Sequence, residues 1–197
     1  MFSSLDKLFM KEAINQAKKA FNNNEVPVGA VVVHNDKVVA SACNTVIQDN
    51  DISSHAEINA IRKASQYFKN YRLQDCKLYV TLEPCHMCAK AISDARVDCL
   101  IFATKEPKTG SIVSIDNVYD KPLFNHKVKY KFGLKKIVNL ANKFGINYKK
   151  DLSYYLPIAI GAYGDSLLNI TKAYSVINNQ GQLIKPSIIK NIRSNKG

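Results

Sequence analysis

The chain has 197 residues, of which 46% are hydrophobic, and it carries a formal net charge of +12. This length and composition predict a folded domain with an appendage and exclude a disordered chain. Nowhere does the sequence approach the roughly 18 consecutive apolar residues that a membrane span needs, so we expect no membrane association. Asp6 and Lys7 interrupt the segment where a secretion signal would be apolar, so we expect a cytoplasmic protein.

Positive charge is concentrated toward the C-terminus. Residues 1–133 carry 18 basic and 14 acidic side chains, whereas residues 134–197 carry 10 basic and 2 acidic ones. A surplus of this kind favours a polyanionic partner such as nucleic acid. A solvated, lysine-rich surface explains the same composition equally well.

Five cysteines in a chain without a secretion signal favour free thiols or metal ligands over disulfides. Cys43, Cys76 and Cys99 lie in strand-like apolar surroundings, where we expect them to be small core residues. Cys85 and Cys88 belong to a motif with a different meaning, described below.

The first half of the chain predicts two helices separated by a β-hairpin. Asn35 and Asp36 favour a tight turn between the hairpin strands, and Ser53 or Ser54 can cap the second helix. These elements lie at 6–22, 28–34, 37–41 and from about 54 to about 68.

The second half predicts strands that alternate with one helix. Pro84 is expected to open this helix, because proline is favoured at the first helical position. Strands alternating with helices predict an α/β sandwich. The elements of this half are a strand, the helix and two further strands, at 77–81, 84–95, 99–103 and 128–130.

Two segments carry residues that point to chemistry, His55-Ala56-Glu57 and Pro84-Cys85-His86-Met87-Cys88. Side chains three apart at the start of a helix share one face, where the helix dipole favours thiolates, so Cys85 and Cys88 form half of a metal site. His55 supplies a third ligand, and three protein ligands leave the fourth tetrahedral position of a catalytic zinc ion to water. His86 lies between the two cysteines and is expected to point elsewhere. A structural zinc site and a redox motif are the alternatives for a Cys-x-x-Cys pair.

Glu57 lies two residues from His55, close enough to reach metal-bound water without binding the metal. Its predicted role is to accept a proton from that water, deliver it to a ring nitrogen and later protonate the departing amine. An H-x-E segment followed by P-C-x-x-C is the known signature of zinc nucleobase deaminases. The sequence therefore predicts a zinc-dependent hydrolytic deaminase with one Zn²⁺ per subunit.

Further segments resemble the bacterial tRNA adenosine deaminases, which make inosine at the anticodon wobble position, over about residues 5–131. The zinc motif alone would also admit cytosine, guanine and deoxycytidylate deaminases. The resemblance implies a cytidine-deaminase-like three-layer α/β/α sandwich, a tRNA anticodon stem-loop as partner and a homodimer. It is carried by residues 25–30, 44, 55–57, 71–73, 78–85, 87–88, 107–110, 125–126 and 128.

The same resemblance implies roles for substrate-binding residues. Asn44 would hydrogen-bond the flipped base, and the backbone around Ala56 and Glu83 would line the pocket. An exposed lysine is usually only solvated, and Lys108-Thr109-Gly110 also fits an ordinary turn. Four residues would contact the anticodon loop, namely Glu106, Lys108, Asn125 and His126.

Residues 134–197 depart from this family, so we expect a deaminase domain over 1–133 followed by an atypical C-terminal extension. Apolar residues from Leu134 to Phe144 predict a helix that ends at Gly145 and takes the place of the family's closing helix. Three later segments resemble part of a class A penicillin-binding protein transpeptidase domain, at 156–162, 167–175 and 178–181.

A second activity in this extension is not expected. Ser187-Ile188-Ile189-Lys190 fits S-x-x-K, but the K-T-G match at Lys108-Thr109-Gly110 lies upstream of it, which reverses the order that transpeptidase chemistry uses. Three functions stay open at this point: adenosine deamination in tRNA, deamination of free cytosine or guanine, and a non-catalytic, zinc-stabilised remnant of a fused gene.

Overall fold

The computed structural model describes residues 2–122 and 124–133, and the statements below refer to this part of the chain. The helix expected over 134–145 and the segments resembling a penicillin-binding protein lie outside it. No described helix is both long enough and apolar enough to cross a bilayer.

A five-stranded mixed sheet forms the centre of the molecule, with strand order β2-β1-β3-β4-β5. β1 pairs antiparallel with β2 and β3, whereas β3, β4 and β5 run parallel to one another. Every predicted strand is confirmed, with its ends shifted by at most two residues. The strands are β1 Gly29–His34, β2 Lys37–Cys43, β3 Cys76–Leu82, β4 Cys99–Thr104 and β5 Lys129–Phe132.

Helices cover both faces of this sheet. The three predicted helices are present, and a short helix after β2 is additional. A single 3-10 turn, Val118–Asp120, precedes β5. The helices are α1 Ser4–Asn22, α2 Val46–Asp49, α3 Ala56–Phe68 and α4 His86–Asp94.

Two apolar clusters show how the layers are built. Successive side chains of a strand point to opposite faces, so neighbouring residues of β1 enter different clusters. Val31 packs with Phe9 of α1, whereas Val32 packs in the cluster that contains Ala60 of α3 and Ile92 of α4. This arrangement confirms the expected three-layer α/β/α sandwich.

Gly29 permits the close crossing of α1 over β1. A Cβ atom at this position would lie 2.5 Å from the backbone nitrogen of Ala17 and even closer to the carbonyl oxygen of Ala13. Because these are backbone atoms that cannot swing aside, any larger residue would force the helix away from the sheet.

The expected cap of α3 is wrong. His55 is the N-cap residue, and its side chain makes no capping hydrogen bond. Ser53 and Ser54 do not cap the helix, because both hydroxyls donate to the carboxylate of Asp51, at 2.7 and 3.3 Å. The helix therefore starts one residue later than Ser54 would place it and two later than Ser53 would, with the imidazole of His55 free of a capping role.

The expected start of α4 at Pro84 is also wrong. Cys85 is the N-cap, with an extended backbone at φ −74° and ψ 174°, and the helix begins at His86. The carbonyl oxygen of Pro84 instead accepts hydrogen bonds from the backbone nitrogen and the hydroxyl of Ser111, at 3.0 and 3.1 Å. These contacts hold Pro84 in a strand-like connection to a distant loop.

α1 begins at Ser4, two residues before the predicted start, because of a capping box. The backbone nitrogen of Asp6 donates to the Ser3 hydroxyl at 3.0 Å, and the Ser3 nitrogen donates to the Asp6 carboxylate at 2.9 Å. The carboxylate also accepts a hydrogen bond from the Tyr79 hydroxyl at 2.8 Å. Asp6 thus joins the start of α1 to the central strand β3.

Replacing Asp6 by alanine is expected to lower the free energy of unfolding by about 1–3 kcal/mol at pH 7. Burial alone would raise the pKa of Asp6, but the hydrogen bonds from Ser3 and Tyr79 outweigh it and lower this pKa. The carboxylate therefore stabilises the fold fully above the unfolded-state pKa of about 3.9, and this contribution is lost as pH falls through the folded-state pKa.

Urea unfolding at pH 7 and at pH 3 tests this prediction. The difference between wild type and Asp6→Ala should be smaller at the lower pH. Asp94→Ala is the matched control, since Asp94 is exposed and pairs only with the neighbouring-turn Lys90. Equal losses in the two variants would contradict a structural role for Asp6.

Candidate metal centre and active site

The starts of α3 and α4 bring the three predicted metal ligands together. His55 is the N-cap of α3, Cys85 is the N-cap of α4 and Cys88 lies in the first turn of α4. Their ligand atoms all lie within 4.8 Å of one another. The Nδ1 atom of His55 is 3.8 Å from the Sγ atom of Cys85 and 3.5 Å from that of Cys88.

This donor set fits zinc in chemistry and in spacing. A tetrahedral zinc ion with Zn–S and Zn–N bonds of about 2.3 and 2.05 Å separates its nitrogen and sulfur ligands by about 3.6 Å. The two observed Nδ1–Sγ distances bracket that value. Two sulfurs and one imidazole nitrogen are a ligand set typical of catalytic zinc sites, which leave one position to water or substrate.

The three ligand side chains differ in how readily each loses a proton. A hydrogen bond from the Cys88 thiol, aided by one from His55, lowers the pKa of Cys85 to about 4 against the opposing effect of burial. The hydrogen bond to Cys85, together with burial, raises the pKa of Cys88. The hydrogen bond to Cys85 raises the pKa of His55. The surroundings thus favour the thiolate form of Cys85, whereas a bound zinc ion would have to replace the proton of Cys88.

Glu57 lies beside these ligands in the first turn of α3. Its side chain is only 4% exposed, and burial raises the pKa of its carboxyl group despite the nearby His55. A raised pKa brings a carboxyl group closer to the range in which it can both accept and release a proton at neutral pH. Glu57 is therefore suited to carry protons, as the sequence predicts.

The other candidate side chains near the motif point elsewhere. His86 is exposed, and its Nε2 atom contacts the carboxylate of Asp116 rather than joining the ligand cluster.

Cys76 is buried, whereas Cys43 and Cys99 are half-buried. The prediction of a core position is therefore met fully only by Cys76.

Glu83 has a role that sequence reasoning missed. Its backbone was expected to line the pocket, but its buried carboxylate also organises the loop after β4. The Ser114 hydroxyl donates to this carboxylate as well. Four backbone N–H groups donate to it within 2.7–3.0 Å, those of Glu106, Ile112, Val113 and Ser114. A carboxylate placed directly before the Pro84-Cys85 segment is the signal that could have drawn attention to it.

Gly110 allows the loop to sit against this carboxylate. A Cβ atom there would lie 2.5 Å from the Cδ atom of Glu83, and Gly110 also forms an isolated β-bridge with Cys85. Lys108 and Thr109 lie in a turn, as expected. The loop over 106–114 is thus attached directly to one metal ligand.

The remaining predicted contact residues have different environments. Ala56 is fully buried at the start of α3, and Asn44 is buried at the end of β2. Glu106 is mostly buried and accepts a hydrogen bond from the Lys108 backbone at 2.9 Å, while the Lys108 side chain is exposed.

The two predicted contacts before β5 also differ from each other. Asn125 is exposed. His126 is half-buried, and its Nε2 atom lies 3.0 Å from the carbonyl oxygen of Val97, so this side of the ring bonds to the fold.

Replacing Glu83 by glutamine is expected to destabilise the loop by about 1–3 kcal/mol. Glutamine keeps one acceptor oxygen, but its NH₂ group would face backbone donors. We expect faster hydrogen exchange of the amides of residues 112–114, measured by mass spectrometry with zinc content unchanged. Glu106→Gln is the control, because a single backbone N–H donates to its carboxylate. Unchanged exchange in Glu83→Gln would contradict the loop-anchoring role.

Residues 3–104 match the family model of the cytidine and deoxycytidylate deaminase zinc-binding region. The chain belongs to this deaminase family. The match contains Glu57 and the three predicted ligands, so the group of side chains that could hold a metal ion lies within the zinc-binding region of this family.

Two tRNA-specific adenosine deaminases are similar to this chain over about two thirds of its length. The tRNA-specific adenosine deaminase of Aquifex aeolicus is 41% identical over 124 residues, which cover 63% of this chain and 82% of the relative. That of Bacillus subtilis is 40% identical over 129 residues, covering 66% and 80% of the two chains.

Solved structures share the fold. One comes from a study of A-to-I editing by tRNA:A34 deaminases at the wobble position; it is 39% identical with a TM-score of 0.63, and the match covers 64% of this chain and 98% of that one. A guanine deaminase from Bacillus subtilis is 30% identical with a TM-score of 0.50, covering 74% and 98% of the two chains.

Proposed function

We propose that this chain hydrolyses adenosine to inosine at the wobble position of tRNA. The observation that carries the proposal is the zinc-ligand triad beside a buried Glu57, in a chain 39–46% identical to several tRNA adenosine deaminases. We also propose that the enzyme is cytoplasmic.

The residues of the site have different roles in the reaction. His55, Cys85 and Cys88 hold the zinc ion, which when bound supplies a water nucleophile that is deprotonated near neutral pH. Glu57 accepts the proton of the attacking water and passes it to a ring nitrogen, which makes the amino-bearing carbon electrophilic. Glu57 then takes the remaining proton from the added hydroxyl group and delivers it to the departing amine, so that ammonia leaves and a carbonyl group remains.

Substrate recognition is proposed for residues around this centre. Asn44 bonds the flipped base, and the backbone at Ala56 and Glu83 lines the pocket. We further propose that the enzyme is a homodimer. The anticodon stem-loop is contacted by Glu106, Lys108, Asn125 and His126.

Free guanine is the rival substrate, because the guanine deaminase of Bacillus subtilis also shares this fold at 30% identity. The likeness to the tRNA:A34 deaminase structure is greater in both identity and TM-score. This difference favours the tRNA substrate.

An inosine assay tests the proposal. Purified full-length protein with about one zinc per chain is incubated with an anticodon stem-loop bearing a wobble adenosine, and separately with free guanine, cytosine and adenosine. We expect inosine in the RNA and no turnover of the free compounds. Turnover of guanine alone would establish the rival function, and inactivity of zinc-loaded protein on every substrate would indicate a non-catalytic remnant.

We propose that residues 1–133 form the deaminase domain and that residues 134–197 supply no catalytic group. A chain ending at Gly145 is therefore expected to keep zinc and wobble deamination. Its RNA binding should depend less on salt, because the removed segment carries more basic than acidic residues and fewer counterions are released. Loss of activity in a folded, zinc-loaded chain ending at Gly145 would contradict this division.

A further inference from the structure

Glu25, between α1 and β1, is a buried carboxylate that serves neither the zinc ligands nor the proton transfers. It is 5% exposed. Its Oε2 atom accepts a hydrogen bond from the Nδ2 atom of Asn44 at 3.1 Å, and its Oε1 atom accepts one from the backbone nitrogen of Gln48 at 2.8 Å. Burying a carboxylate is costly unless its oxygens are bonded, and both of these are used.

We propose that Glu25 is a positioning residue that fixes which end of the Asn44 amide faces the substrate base. The inference rests on the proposed function, in which Asn44 bonds that base. Carboxylate oxygens only accept hydrogen bonds, whereas an amide has a donor end and an acceptor end. Asn44 must therefore turn its NH₂ group toward Glu25, which leaves its Oδ1 atom and its second N–H for the base.

The backbone around Asn44 is held independently of Glu25. The Asn44 nitrogen donates to the carbonyl oxygen of Val28 at 3.1 Å. On α3, the Nδ2 atom of Asn59 lies 2.9 Å from the Thr45 hydroxyl and 3.2 Å from the carbonyl oxygen of Ser54, the residue before His55. Asn44 is thus fixed in place relative to the zinc-binding end of α3, and Glu25 controls the remaining choice, the direction of the amide.

That choice bears on which base is accepted. Turning the amide over exchanges a donor for an acceptor at one point of the pocket, and a site that mismatches a polar edge of its substrate loses much of its rate. Holding the amide in advance also removes the cost of ordering it in the transition state. Glu25 therefore contributes to the preference for adenine through Asn44.

A double-mutant cycle tests the inference. Glu25→Gln keeps the size of the side chain but offers an NH₂ group that can pair with the Oδ1 atom of Asn44, so the Asn44 amide can turn over. We expect kcat/KM on the wobble-adenosine stem-loop to fall about tenfold or more, with zinc content unchanged and the Kd for RNA within about twofold of wild type. The preference for adenosine over cytidine at the wobble position should fall as well.

The energetic coupling between Glu25 and Asn44 distinguishes a positioning role of Glu25 from a general structural role. If Glu25 acts through Asn44, Glu25→Gln should cost almost nothing further when added to Asn44→Ala. Glu12→Gln is the matched control: it removes one negative charge on α1, where Glu12 accepts only from Asn15 and Gln16. The Glu12→Gln variant should have the kcat/KM of wild type.

The other outcomes overturn the inference. Additive losses of kcat/KM in the double variant would contradict it. Loss of zinc or of the thermal unfolding transition in Glu25→Gln would also contradict it, because Glu25 would then be a residue needed for folding. Wild-type protein is assayed first in the same experiment. If wild type fails to deaminate the stem-loop, the proposed function fails; if wild type is active but the cycle is additive, only the inference does.

Discussion

Replacing Glu57 by alanine is expected to reduce deamination by about 10³- to 10⁴-fold or more while leaving one zinc per chain in place. In the proposed mechanism Glu57 moves protons in several steps, and the ligand cluster of His55, Cys85 and Cys88 does not include it. Its replacement should therefore abolish turnover while the zinc content stays the same. Single-turnover kinetics on the anticodon stem-loop, together with metal analysis, measure the two effects separately.

Glu57→Gln controls for the cavity that alanine would leave at this buried position. Glutamine fills nearly the same space but cannot accept and return a proton in the same way. Both variants should keep zinc and the Kd for RNA, and both should lose turnover to a similar degree. Activity above about one per cent of wild type in the glutamine variant would mean that another group carries the protons.

Replacing Cys88 by serine is expected to remove zinc from the purified protein. Cys88 is fully buried in the first turn of α4, and a serine hydroxyl is a far weaker zinc ligand than a thiolate. Zinc content should fall from about one per chain to nearly none, and deamination should fall with it. Because zinc binds the folded state, the thermal midpoint should also fall.

Cys76→Ser is the matched control for this experiment. Cys76 is a buried cysteine of β3 outside the ligand cluster, so its replacement should cost some stability and leave the zinc content unchanged. Undiminished zinc in Cys88→Ser would exclude Cys88 from the site. Equal zinc loss in the two variants would show that core disruption, and not ligation, causes the effect.

Features that depend on neighbouring residues could be predicted from the sequence. The β1–β2 turn is confirmed: Asn35 and Asp36 have φ values of 48° and 56°, the left-handed region that these two residue types tolerate. The strands follow in the same way from β-branched and apolar runs. The spacing of Cys85 and Cys88 likewise determines by itself that both thiols lie near the start of one helix.

Helix starts that depend on a competing hydrogen-bond partner could not be predicted from residue type. Ser53 and Ser54 have the residue type of a helix cap, yet Asp51 engages both hydroxyls. Pro84 has the residue type of a helix start, yet Ser111 pairs with its carbonyl group. In both cases the residue forms a different hydrogen bond from the one that its helix propensity predicts.

The sequence by itself predicts the zinc ligands and the role of Glu57, because metal and proton-transfer chemistry restricts these positions to a few residue types at fixed spacing. Only the tertiary structure decided that the Glu83 carboxylate anchors the loop over 106–114 and that the Asn44 amide donates a hydrogen bond to Glu25. The physical reason is that each of these pairings joins single polar atoms across 19 or more residues of chain. Such a bond forms only when packing brings donor and acceptor to about 3 Å, and no periodicity in the sequence records that distance.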